Sequence, residues 1–531
     1  MRKRDHPRWL LSGKSWLLAA LLADGLGVRL AIAWLDVGAL LEKTLPDDAF
    51  YYFAIARNLS RGSGFTVDGL TQTNGFHPLW ALLLVPCFWL FSGAGDLPIH
   101  VALSLAAALD VGTTGLVFLA VRRGTGDWLA ALIAAFLYAF NPAVILQSVN
   151  GLETSLNMAL WAAFFHAYLG VRESKGLGPW TLLGVLGGFT LLARTDSVFL
   201  LGFVALDLLR RHRSVRPVAA LGAGTALPLI PWLGWNQATF GTWLQSSGVA
   251  IPYVAHQHYL LARAAGVSLL EALGSTVGTA LVGGFLAFWQ VAGVACIGLV
   301  LAWGVLFFYR SRLPRETLRE VLETVRPCGV SALAALALLG FHVLYRWYPR
   351  PWYVVPLGYS AALLAGPAVR VAGRNLLPVT SRWRSFTPGV VAFLALVMSL
   401  QWGRNWPAGL YPWQADFRFA AQWASRSLPK GAVVGAFNAG VQGYYGTHTV
   451  VNLDGVVDPQ AYQAMRQNAL HAYALQREVG YLIDHRNYVE QMYAPFWGQS
   501  LSETLEPMRV LGASHPRYGP LTVYRVLRAS E

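Results

Sequence analysis

Long apolar runs separated by short polar connections fill the chain as far as residue 402, and each run approaches the length of a bilayer-crossing helix. They fall at 15–36, 98–121, 128–147, 155–171, 180–194, 197–209, 216–235, 280–309, 328–345, 352–370 and 386–402, which predicts about eleven crossings. A further apolar stretch, 77–92, is short, starts at His77-Pro78 and contains Pro86, so it is expected to lie at the interface or re-enter rather than cross. From Gly403 the pattern changes. Trp413 to Leu428 has helical periodicity, 432–437 and 449–453 read as short buried strands, and 522–526 alternates. The expected fold is a polytopic α-helical membrane domain over 1–402, followed by a small α/β domain over 403–531.

Composition sharpens this picture. With 55% hydrophobic and 13% charged residues among 531, the chain lies outside the range of soluble globular proteins. The net charge of +14 sits in clusters between apolar segments rather than on one soluble face, so it reads as a topology signal and not as a nucleic-acid surface. Leaving 77–92 out of the crossings gathers about 22 Lys and Arg on one side against about 7 on the other, the asymmetry expected of cytoplasmic loops. That choice puts the N-terminus, with Arg2, Lys3, Arg4, Arg8 and Lys14, in the cytoplasm and the C-terminal domain outside. The first apolar run is then an uncleaved helix, because no small-residue cleavage site follows it. Cys87, Cys296 and Cys328 have no paired spacing and indicate neither a disulfide framework nor a zinc site.

The same topology collects the polar connections on the extracytoplasmic face: the first loop 37–97, the turn Asn150-Gly151-Leu152-Glu153, Arg194-Thr195-Asp196, the loop 236–279, and Arg346 to Arg350. Within the first loop, Asp47-Asp48 is followed by an aromatic-rich amphipathic stretch holding Tyr51, Tyr52 and Arg57, and then by Asn74-Gly75-Phe76-His77-Pro78-Leu79-Trp80. Asp110 lies inside an expected span, where a carboxylate is costly and marks a function or a buried partner; the sequence names none.

This first loop resembles that of GT-C membrane glycosyltransferases, particularly the protein O-mannosyltransferase and lipid A aminoarabinose transferase group, in which an acidic pair precedes a Tyr-containing interfacial helix and a Pro-Leu-aromatic motif. The stretch Tyr345-Arg346-Trp347-Tyr348-Pro349-Arg350-Pro351-Trp352-Tyr353-Val354-Val355-Pro356 is similar to that group's loop before a Tyr-x-x-Pro helix start. The resemblance implies a hexosyl- or pentosyltransferase of the prokaryotic inner or plasma membrane. It would move a sugar, with inversion, from a polyprenyl-phosphate donor to a hydroxyl of a glycan, glycolipid or protein acceptor.

Such chemistry needs a general base at the membrane surface, for which Asp47 is the first choice and Asp48 the second. It also needs fixed cations for the leaving phosphate: Arg346 and Arg350, with Arg57, Arg194 and His77 behind them. The group commonly has Lys near the position of His77, so the residue here departs from the pattern. Glu153, Asn74, Tyr52 and Asp196 are candidates for holding the acceptor or sugar.

Plainer roles compete with each assignment: helix capping for Asp47, Asp48 and Asp196, interfacial anchoring for Arg346 and Arg350, and structural hydrogen bonding for His77. No cofactor is expected; a divalent metal held by Asp47, Asp48 and other acids is disfavoured because no spaced acidic triplet is present. The main alternative function is a transporter or flippase of lipid-linked sugars, which would be expected to carry more ionisable residues at mid-membrane and repeated halves.

Overall fold

A computed structural model of the chain describes residues 15–309, 315–376 and 386–528. The basic N-terminal cluster and the basic residues at 310–314 and 377–385 lie outside the described residues. Each expected span coincides with helix. Among the described residues six helices, against about eleven crossings expected, are long and apolar enough to cross a membrane: Ser15–Ala33, Leu97–Thr125, Arg216–Phe240, Leu269–Ala302, Cys328–Tyr345 and Pro351–Arg370. The expected span 128–147 is instead a bent pair, Trp128–Ala139 and Pro142–Ser148, meeting at 62°. The cause is local: Pro142 cannot donate back into the preceding turn, and the Asn141 side chain accepts from the N–H groups of Ala143 and Val144 and starts a new helix. Segment 77–92 forms the helix Pro78–Leu90, shorter than a span.

Inside the bundle, Asp110 has the partner that the sequence did not name. Arg29 of the first helix donates from Nε to Asp110 at 2.8 Å, and Tyr138 donates to the other carboxylate oxygen at 2.7 Å. The same guanidinium donates to the carbonyls of Gly25 and Ala139, so a charge with no exposed surface is satisfied by three helices.

The C-terminal domain carries a five-stranded sheet in the order β2-β1-β3-β5-β4, from β1 (Val433–Ala436), β2 (Thr449–Asn452), β3 (Val479–His485), β4 (Leu505–His515) and β5 (Gly519–Val526). β1 pairs in parallel with β2 and β3, while β5 pairs antiparallel with β3 and β4. Two strands escaped the sequence pattern. β3 ends in the polar pair Asp484-His485, and β4 is an edge strand interrupted at Pro507 and Gly512, as edge positions allow.

The segments leaving the carboxyl ends of β1 and β2, 437–441 and 453–456, face the membrane domain, the end of a parallel sheet where ligands and partners usually meet it. The helix Leu97–Thr125 fixes the distance to the other end of the bundle. Asp96, just before it, accepts from Tyr445 and Arg418 of the C-terminal domain, and at about 1.5 Å per residue the helix carries the chain roughly 38 Å from Leu97 to Arg122. Arg122 and Arg123 therefore lie at the end of this helix opposite its contact with the C-terminal domain.

Candidate active cavity

Helix Asp47–Ser60 begins directly after Pro46, and its first two residues point different ways. Asp47 is buried and turned toward the C-terminal domain, where its carboxylate accepts from the backbone N–H groups of Gly440 at 2.9 Å and Val441 at 2.8 Å. It thereby satisfies donors at the start of helix Gly440–Tyr445. The approach requires glycine at 440, since a Cβ there would sit 2.3 Å from the Asp47 carbonyl oxygen. Burial pushes the Asp47 carboxyl up to about 7 against the pull of those two N–H groups. A raised acid of this kind lowers stability as pH climbs from the ordinary carboxylate range through about 7, because the unfolded chain ionises first. Asp47 does not line the cavity; its neighbour does.

Asp48 faces a cavity of about 540 Å³ bounded by the first loop, Glu153, Arg194 to Asp196, the helix Arg216–Phe240, the segment 243–249, and Phe341 to Tyr353. Among the described residues no hydrogen bond or ion pair holds its carboxylate. Burial raises the Asp48 carboxyl, Arg350 pulls it back down, and Glu153 raises it further.

Arg346 lines the same cavity. One of its Nη atoms donates to the Ser247 carbonyl at 3.3 Å, while its buried Nε has no hydrogen-bond partner. Arg350 stands just outside the lining, its guanidinium 4.3 Å from the Tyr348 ring and 5.6 Å from that of Trp352, also with an unpartnered Nε. Both arginines follow an irregular turn: Phe341–Tyr345 is one turn of π-helix, and Trp347 takes φ +55°, strained for so bulky a residue. Leu191, Leu229, Trp232 and Phe341 supply apolar and aromatic walls.

The other candidates separate cleanly. Arg194 lines the cavity but is committed to acids: it pairs with Glu153 and donates from Nε to Asp196 at 3.0 Å, under the Tyr353 ring. His342 completes this group, its Nε2 lying 3.0 Å from Asp196. The sequence signal for His342 was an ionisable residue closing an apolar run. Tyr52 lines the cavity; its hydroxyl accepts from the His77 N–H at 3.1 Å and bonds to Glu153. His77, also in the lining, is held below its ordinary pKa by burial against the pull of Glu153, 3.8 Å from its Nε2, and contacts Gln245 at 3.2 Å.

Two candidates are placed elsewhere. Arg57 donates to the Tyr444 carbonyl at 3.0 Å and covers that ring, fastening the C-terminal domain instead of reaching the cavity. Asn74 is buried and bridges the Leu244 carbonyl and the Ser246 N–H, which makes it a loop tie. Next to it, a Cβ on Gly75 would stand 1.9 Å from the Val456 carbonyl, so only glycine lets the first loop close on the C-terminal domain. Val456 itself lines the cavity, and Tyr444, Tyr445, Asn438 and Asn452 serve the domain core and its contact with the first loop.

The chain has the GT-C membrane fold, as its first loop implied. ArnT of Cupriavidus metallidurans, solved bound to undecaprenyl phosphate, superposes with a TM-score of 0.56 at 15% identity over 97% of this chain and 98% of that one. The oligosaccharyltransferase AglB of Archaeoglobus fulgidus, solved with an inhibitory peptide and a dolichol-phosphate, superposes at 0.52 with 11% identity over 97% of this chain and 74% of that one. Residues 408–524 match a domain of unknown function, DUF8728. No curated protein sequence matches the chain.

Proposed function

We propose that the protein is an inverting glycosyltransferase that moves a sugar from a polyprenyl-phosphate donor to an acceptor hydroxyl at the extracytoplasmic membrane face. One observation carries the reading: Asp48, whose carboxylate no described residue hydrogen-bonds, and Arg346, whose buried Nε has no hydrogen-bond partner among the described residues, border one cavity that also has apolar and aromatic walls. In this reading Asp48 takes the acceptor proton as the oxygen attacks the anomeric carbon. Arg346, backed by Arg350, stabilises the growing charge on the departing lipid phosphate. Glu153 and Asp196, both paired with Arg194, shape the wall against which the sugar rests. The resemblance of the fold to proteins solved with undecaprenyl phosphate and dolichol-phosphate supports the donor class.

The test is transfer by the purified protein from synthetic polyprenyl-phosphate sugars, followed by the glycosidic product. Arg346→Ala is expected to lower turnover roughly 100-fold or more, since it removes a cation whose partner charge develops in the transition state. Lipid movement between leaflets without product would favour the flippase instead.

The pH dependence gives a separate check. The base must be ionised, so activity falls as pH drops through the raised pKa of Asp48, and the acid limb lies above the ordinary value of about 3.9. Arg350→Gln removes the charge that holds this carboxyl down, so the limb should move to higher pH by about half a unit or more. A shift to lower pH would contradict the assignment.

A further inference from the structure

Beside the Asp48 cavity runs a second, larger depression of about 900 Å³, between the segment Thr239–Val249 and the C-terminal helices Pro459–Arg466 and Leu470–Gln476. Leu244 and Val249 line both, so the two spaces adjoin across one short segment. A third depression of about 530 Å³ continues the trough past Thr239, Phe240, Pro459 and Gln460 to Gln72 and Arg477.

Its chemistry differs sharply from that of the cavity. Gln460, Gln463 and Gln467 are exposed and follow one another at helical spacing along a single face, and Gln476 joins them from the next helix. Hydroxyls of Thr239, Thr242 and Tyr462 and the ring of Phe240 complete the wall; Arg466 is the one charged lining residue of the larger depression among those described, and no carboxylate lines it. Carboxamides present both donors and an acceptor without charge, which suits a ligand dense in hydroxyls, and Tyr462 and Phe240 offer flat faces for a sugar ring. A polyanion would meet Arg466 and, further along, Arg477, which is already paired with Asp68, and an apolar chain would leave the amides unpaired.

The trough is rigidly framed. Arg477 donates to Asp68 of the first loop at 2.9 Å, and Asp458 caps helix Pro459–Arg466 while accepting from Tyr473 at 2.6 Å.

We infer that this trough binds the acceptor, and that the acceptor is an extended, largely neutral saccharide whose reacting end enters the Asp48 cavity past Leu244. The inference rests on the proposed glycosyl transfer and adds the substrate class to it.

The test is saturation-transfer NMR on the full-length chain in nanodiscs, with linear neutral oligosaccharides of graded length and, as a contrast, uncharged peptides. Oligosaccharides should receive saturation, more so as they lengthen. Gln463→Ala/Gln467→Ala, two exposed positions, should weaken binding about tenfold or more through lost hydrogen bonds. Saturation of none of the oligosaccharides, of the peptides instead, or undiminished in the double variant would overturn the saccharide assignment. Thermal stabilisation of the same nanodiscs by undecaprenyl phosphate reads the donor site alone, so failure of the trough is distinguishable from failure of the transferase reading.

Discussion

Asp48→Asn is expected to reduce sugar transfer by roughly 100- to 10,000-fold with little change in donor binding, the loss typical of removing a positioned general base. The substitution keeps the size of the side chain and removes only its capacity to take a proton. Because Asp48 faces the cavity and no hydrogen bond holds it among the described residues, the fold should barely register the change. Asp47→Asn should behave in the opposite way. Its oxygens hold the N–H groups of Gly440 and Val441, so thermal stability drops first and turnover falls far less. Single-turnover transfer and thermal melting of both variants check the pair. Loss of activity in Asp47→Asn with retention in Asp48→Asn would return the base to Asp47.

Arg29→Met should produce the largest loss of stability, about 3–5 kcal/mol, because it leaves the Asp110 carboxylate buried without its countercharge. Three helices meet at this pair, with Tyr138 and the Ala139 carbonyl on one side and Gly25 on the other. The damage should therefore spread beyond one contact. Arg29→Met/Asp110→Leu, which removes both charges, should recover most of the loss, since an apolar replacement of a buried ion pair is often neutral. Thermal unfolding in detergent of the two single variants and the double variant reads the coupling directly. Additive losses would mean that the ions are not paired in the protein.

That pair also shows where a single sequence stops being informative. Asp110 was conspicuous inside an apolar run, yet its partner lies 81 residues away and belongs to the first helix, whose one arginine looked like any other basic residue. Apolar periodicity placed helices where spans were expected, because burial in lipid acts on each segment separately, and among the described residues six of them are long and apolar enough to cross a membrane. It missed the 62° bend, where an Asn-Pro cap outweighs the apolar run around it.

The first loop was legible as a site because its carboxylates, aromatics and Pro-Leu-Trp motif crowd one connection. Which of two adjacent aspartates faces the cavity was not. The answer depends on the N–H groups at 440 and 441, almost 400 residues downstream, and no local pattern encodes that approach. The partners of Arg57 and Asn74, at 444 and at 244–246, likewise come from distant elements, and Asn74 lines the larger depression rather than the Asp48 cavity.

The account depends on the donor phosphate seating beside Arg346 while the sugar faces Asp48. A cryo-EM structure of the Asp48→Asn protein in nanodiscs with an intact polyprenyl-phosphate sugar tests this most directly. The prediction is phosphate density within hydrogen-bond reach of the Arg346 guanidinium and an anomeric carbon turned toward residue 48. Density for the phosphate at the opposite end of the bundle, beside Arg123 and Arg172, would contradict it.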